Sequence, residues 1–428
     1  MTSPPSSDTG DGALSELPPE RLRRWWWPTV VWLGATIAGT LVMRWGLPGA
    51  RSGNDVGWTV PSDLVRLIAA AGSIHGHSGF SHLYGFEKPN TPFSTPPGFL
   101  LPLAGLLQLV GLVGIHPMLG GQVGLIPLGG GWEIVLPAVV GSGLLGVFSF
   151  TSLARRMGIG GWRLGVSTGA AAGALWWTTT WWGHPDDALA VSLLAAAAVT
   201  VLDGKWSAGA WLVGAGCAVQ PVVLLALPVL LTLVALRHWV SFVARSVLPA
   251  AVLLVVPLIG DFHDTVAQVF GQPLAPKMPA NHVTPWFWLA PVVGYYRSGS
   301  SVRWVAFVLA AGLALWLAHR RSGDAIAVVW AIGAALDLRC VFDAVIVPYY
   351  LLSGLVFGIV AAAGRPSWRL LGATVSAAVT LEISGSPALG VWGYFTAMVL
   401  GLGAVAAFAF PRRRGDRAAD PDPAPAFL

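Results

Sequence analysis

Charge is scarce in this sequence. Asp, Glu, Lys and Arg make up 11% of the 428 residues, against about 25% in a soluble domain. That density cannot solvate a globule of this size, which rules out a cytoplasmic enzyme and a disordered protein. Cysteine is scarcer still, with Cys217 and Cys340 the only two. Both sit in apolar stretches, which rules out a disulfide scaffold and favours core positions over a metal pair. What abounds is apolar: 55% hydrophobic residues and a mean hydropathy of +0.67. The composition predicts an all-α, polytopic membrane protein. The net charge of +5 is then a topology signal, and no nucleic-acid partner is expected.

The few charges place the helices. Residues 1–24 are polar and rich in Pro, Ser and Asp, and predict a disordered cytoplasmic tail. Arg21, Arg23 and Arg24 then precede Trp25-Trp26-Trp27, a basic flank followed by an interfacial anchor. Further basic clusters stand at Arg155, Arg156 and Arg163; at Lys205; at Arg237 and Arg245; at Arg320 and Arg321; at Arg365 and Arg369; and at Arg412, Arg413, Arg414 and Arg417. Successive clusters leave room for one helix out and one back. With every cluster inside, the positive-inside rule is satisfied throughout.

The expected spans are 26–47, 133–154, 164–182, 188–203, 207–221, 222–236, 241–259, 304–318, 325–341, 345–364, 370–385 and 389–410. They form a transmembrane domain over 25–411, with a cytoplasmic tail at 412–428 and both termini inside the plasma membrane. Residues 96–131 break the parity. A re-entrant hairpin, helped by Pro96, Pro97, Pro117 and Gly129–Gly131, or two further spans would restore it.

The acids sort to the opposite face. Asp55, Asp63, Glu87, Glu133, Asp186, Asp187, Asp261, Asp264, Asp337, Asp343 and Glu382 all fall at or near the outer surface of this topology. Acids contribute little to orientation, so their clustering is separate information and points to an outward polar site. Two outer loops are long, 48–97 and 260–303, and the other loops are tight. Charges of the kind that mark ion pathways are rare within the spans. Internal repeats and matched broken helices, the marks of many transporters, are missing too. The arrangement fits an outward-facing catalyst. A transporter or lipid flippase and a non-catalytic assembly protein are the alternative classes.

The first outer loop carries Ser62-Asp63, Arg66, Ala69-Ala70-Ala71, Gly79, Leu83-Tyr84 and Pro92-Phe93-Ser94-Thr95-Pro96-Pro97-Gly98-Phe99. Over 62–100 this resembles the first extracytoplasmic loop of the GT-C glycosyltransferases that use polyprenyl-phosphate sugars, in particular their actinobacterial mannosyltransferase-like branch. Leu67 stands near the place of that family's aromatic. The resemblance implies a GT-C-like helical bundle with an active site under the first loop. It also implies a polyprenyl-phosphate sugar donor, mannose being the sugar it favours, and a lipid or glycan acceptor in the cell envelope.

Such a transfer needs one carboxylate as general base for the acceptor hydroxyl and cations for the leaving phosphate. Asp63 is the candidate base and Asp55 the alternative; Asp63 would equally serve as N-cap of a helix over 64–72. The stretch Trp181-Trp182-Gly183-His184-Pro185-Asp186-Asp187 faces the same side. His184, Asp186 and Asp187 are candidates for substrate or cation binding, and the acids also suit the first turn of a helix. A cofactor-free site is expected, with a divalent cation as the alternative. Arg297, Arg303 and Arg339 are the candidate phosphate grips. Snorkelling would explain the first two and an internal pair with Asp337 or Asp343 the third. Tyr84 and Trp286 are further candidate substrate contacts. Most of the 22 tryptophans flank spans and read as interfacial belts. His75, His77 and His82 show no zinc spacing.

Overall fold

A computed structural model describes residues 26–38, 67–68, 70–72, 74, 80–84, 96–112, 132–266, 269, 284–286, 295–321, 324–343, 346–385 and 389–411. Among them the regular structure is helical, with no strand. The main helices are α1 (26–38), α2 (Leu100–Leu112), α3 (Trp132–Arg156), α4 (Gly161–Trp176), α5 (Pro185–Leu202), α6 (Trp206–Val219), α7 (Trp239–Gly260), α8 (Tyr295–Arg321), α9 (Ala325–Val341), α10 (Leu351–Ala363), α11 (Ser367–Ser384) and α12 (Gly390–Ala409). Four apolar segments are long enough to cross a membrane: Ala138–Arg156, Pro185–Leu202, Leu236–Gly260 and Gly390–Ala409.

Burial divides the helices into an inner layer and an apolar periphery. The whole of α10 is buried, and it packs against α3, α4, α9, α11 and α12. A helix apolar on all sides is stable only inside such a shell. Around it, α3 packs on α5, α5 on α6 and α6 on α7, while α8 packs on α9 and α11 on α12. The periphery is apolar as well: Val240, Val252 and Ile259 of α7, Val308 and Leu315 of α8, and Val375 of α11 are all exposed. Only 28% of the most apolar stretch of Leu236–Gly260 is buried, and 22% of Gly390–Ala409. Exposed apolar faces of this extent are costly in water and are satisfied by acyl chains.

Small residues set the close approaches. Trp32 of α1 is fully buried and lies where a Cβ on Gly143 of α3 would stand. Gly354 of α10 likewise leaves room for the Asp337 carboxylate of α9.

One expected span is not a regular helix. Residues 222–236 form a 3₁₀ stretch, Pro221–Ala226, then a single α turn, Leu227–Leu231. Pro221 explains the break: the residue before a proline is pushed out of the α region. Gln220 accordingly adopts φ −145° and ψ 118°. Of the expected re-entrant hairpin over 96–131, residues 113–131 lie outside the described residues. The 13 residues of α2 rise about 20 Å, short of the roughly 30 Å hydrocarbon core.

The two ends of the bundle gather different polar groups. At one end Arg156 of α3 pairs with Asp203 beyond α5. There too Arg163 of α4 reaches Ser367 of α11, Arg245 of α7 donates to Ser207 of α6, and Arg369 of α11 donates to the Phe410 carbonyl beyond α12. Asp186, Gln220, Arg303, Arg339 and Asp343 gather at the other end.

Candidate functional site

The site is built on the turn between α4 and α5. One turn of π-helix, Trp177–Trp181, widens the end of α4, and such turns recur at functional sites. The rings of Trp177 and Trp181 stack with centroids 5.2 Å apart. Gly183 then takes φ 71°, a left-handed conformation that favours glycine. His184 follows, with its backbone N–H on the Thr178 carbonyl at 2.9 Å. Pro185 occupies the first position of α5, where a missing N–H costs nothing. The backbone thus presents His184, Asp186 and Asp187 together at the start of α5.

Both acids stand in the first turn of α5, as the sequence allowed, though neither carboxylate accepts an α5 backbone N–H among the described residues. Asp186 and Asp187 are each 4% exposed. Asp186 Oδ2 accepts from Gln220 Nε2 at 2.8 Å. Asp187 Oδ1 lies 3.9 Å from Arg339 Nη1. The remaining oxygens, Asp186 Oδ1 and Asp187 Oδ2, are buried without a hydrogen bond. They lie 3.6 and 3.5 Å from His184 Nδ1, and the three atoms form one compact group of metal-ligating type. The His184 ring stacks on Tyr349, with centroids 3.5 Å apart and planes at 21°.

From Asp187 the charges continue as a chain. Arg339, in the last turn of α9, lies between Asp187 and Asp343, its Nε 3.7 Å from Asp343 Oδ2. Its guanidinium lies 3.4 Å from the Tyr350 ring centre, a geometry that stabilises the cation. Arg303 of α8 donates from Nε and Nη2 to Asp343 Oδ1 at 3.2 and 3.1 Å. Its side chain stays 32% exposed, against 16% for Arg339. The turn carrying Asp343 is braced: Thr284 donates to the Asp343 carbonyl at 2.8 Å, and the Trp286 indole donates to the Val341 carbonyl and stacks on Phe342.

His184, Asp186, Asp187, Arg303 and Arg339 therefore converge, and Trp286 stands beside them as a brace. Arg339 pairs with Asp343 as one sequence expectation had it, and with Asp187 besides. Asp55 and Asp63 lie outside the described residues. Arg297 belongs to the first turn of α8, and its side chain lies outside the described residues. Described residues of the 62–100 stretch dock at the same end of the bundle. The Gly98 N–H donates to the Ala218 carbonyl at 2.9 Å, two residues before Gln220. The turn Phe80–His82 packs on α7, and Ser81 meets Gly260 at its end. Tyr84 beside that turn is 4% exposed, and burial pushes its phenol up.

Sequence reasoning missed two members. Gln220 stands at a helix break and holds Asp186. The signal was the Gln-Pro pair after an apolar helix. Tyr349 follows Arg339 in an aromatic pair with Tyr350, but nothing in the sequence joins it to His184. The chain matches no protein-family model and no curated protein.

Proposed function

We propose that the chain is an integral-membrane glycosyltransferase that moves a sugar, mannose by the family resemblance, from a polyprenyl-phosphate donor to a lipid or glycan acceptor. In this reading it is a bundle of about 12 spans in the plasma membrane with both termini cytoplasmic. One observation supports it above the others. A buried cluster of carboxylates and arginines lies at the bundle end where the loop bearing Asp55 and Asp63 is tethered, through Gly98 to Ala218 and through Ser81 to Gly260.

Asp63 takes the proton of the acceptor hydroxyl as that oxygen bonds to the anomeric carbon. The bond from the anomeric carbon to the phosphate oxygen breaks, and the electron pair leaves with the phosphate. Arg303, part exposed and fixed by Asp343, receives that charge. Arg339 is tied between Asp187, Asp343 and Tyr350, and orders the cluster. Preorganised cations are effective here because the phosphate gains charge in the transition state.

Asp63→Asn tests the reading in membranes supplied with radiolabelled polyprenyl-phosphate sugar. Asn caps a helix about as well as Asp, so folding is retained. Loss of a general base lowers the rate by about 10²–10⁴-fold, and a fall of at least about 100-fold is expected. Asp55→Asn should do less. Normal transfer by both variants in a working assay would remove the first loop from catalysis.

A further inference from the structure

The strongest unexplained feature is a deficit of positive charge. Among the described residues, the three carboxylates of Asp186, Asp187 and Asp343 are matched by two arginines, Arg303 and Arg339. Burying a carboxylate without a counter-charge is costly. The two oxygens that lack hydrogen bonds, Asp186 Oδ1 and Asp187 Oδ2, both face His184 Nδ1.

His184 Nδ1 makes no hydrogen bond to either of these oxygens. Charge-assisted N–H···O bonds run at about 2.7–2.9 Å, whereas the separations here are 3.6 and 3.5 Å. The two nitrogen-to-oxygen separations suit ligands of a common ion, and all three atoms lie within 4.8 Å of one another. Two ligand atoms about 2.1 Å from a metal, seen at roughly 115°, lie about 3.5 Å from each other. The far oxygen of each acid is already engaged, Asp186 Oδ2 by Gln220 and Asp187 Oδ1 by Arg339. That engagement turns the free oxygens inward, as partners of ligating carboxylates do. Tyr349 fixes the plane of the imidazole.

We propose that His184 Nδ1, Asp186 Oδ1 and Asp187 Oδ2 form a binding site for one divalent cation of the Mn²⁺ or Zn²⁺ class. One nitrogen and two carboxylate oxygens suit a hard ion such as Mn²⁺ or a borderline one such as Zn²⁺ better than a thiophilic ion. Three protein ligands leave coordination positions open for water or a ligand oxygen. The site stands on these donor atoms whether or not the chain transfers sugar, and it departs from the cofactor-free expectation of the sequence.

The test uses the full chain in lipid nanodiscs, stripped with EDTA and titrated with Mn²⁺. Loss of the free-ion paramagnetic resonance signal counts the bound metal. One Mn²⁺ per chain is expected, displaced by Zn²⁺, with a ¹⁴N coupling from His184 in the pulsed spectrum of the bound ion. Asp186→Asn and Asp187→Asn should each weaken binding at least about tenfold. Asp203→Asn, at the opposite end of the bundle, should leave it unchanged. The nitrogen coupling is read on the wild-type chain, so the test survives a variant that fails to fold. No stoichiometric binding, bound Mn²⁺ without nitrogen coupling, or binding unchanged in both Asn variants would overturn the proposal.

Discussion

Replacing Arg339 with Met probes the centre of the charge chain. Met keeps an unbranched apolar stem of similar reach but removes the cation that faces both Asp187 and Asp343. Asp343 keeps its two hydrogen bonds from Arg303, so the loss falls mainly on Asp187, which is 4% exposed. Removing one partner of a buried pair costs about 3–5 kcal/mol, because the other charge is left uncompensated. The separations of 3.9 and 3.7 Å exceed hydrogen-bond length, which places this case at the low end, about 3 kcal/mol. The stacking on Tyr350 lost with the guanidinium acts in the same direction. The assay is unfolding of the purified protein by sodium dodecyl sulfate in mixed micelles, followed by circular dichroism. The second substitution Asp187→Asn, made in the Arg339→Met background, removes the stranded carboxylate. It should restore about 1–2 kcal/mol, a coupling of the size expected for residues in contact. If Arg339→Met unfolds within about 1 kcal/mol of the wild type, or if Asp187→Asn adds its full cost in both backgrounds, the two residues are not electrostatically coupled.

Gln220→Leu, which keeps the extended residue before Pro221 but removes the donor to Asp186 Oδ2, should lower stability by about 1–3 kcal/mol in the same assay. Stability equal to wild type would show that Asp186 finds another donor. Membrane-impermeant maleimide should label single cysteines placed in 75–90 and 270–285 from outside intact cells, and should miss those in 155–163 and 319–323. Outside labelling at position 156 would reverse the orientation assigned to the basic end.

Much of the helical layout was legible in the sequence because it follows from local, additive properties. Apolar runs between Arg156, Arg163, Lys205 and Arg245 correspond to α5, α6 and their neighbours, since backbone groups in lipid must be satisfied within each helix. The gathering of basic residues such as Arg156, Arg163 and Arg369 at one end follows from the alternating direction of those helices. Even the break after Gln220 has its cause in the next residue, Pro221, although the apolar runs alone predict two regular spans meeting there.

The composition of the cluster was decided only by tertiary structure. His184 meets Tyr349, and Asp187 meets Arg339, from helices far apart in the chain. Sequence reasoning could place Arg339 beside Asp343, four residues along the same helix direction, because helical spacing brings such residues together. It could not give Asp187 to the same guanidinium, or Gln220 to Asp186. Those contacts depend on how α5, α6 and α9 pack, and that packing follows from small residues and van der Waals fit spread over the whole bundle. The sequence by itself determined an apolar helical protein in which Asp186 and Asp187 stand at the helix end away from Arg156 and Arg163. Only the fold decided which oxygens are neutralised by Arg339 and Gln220, and which two are left turned toward His184.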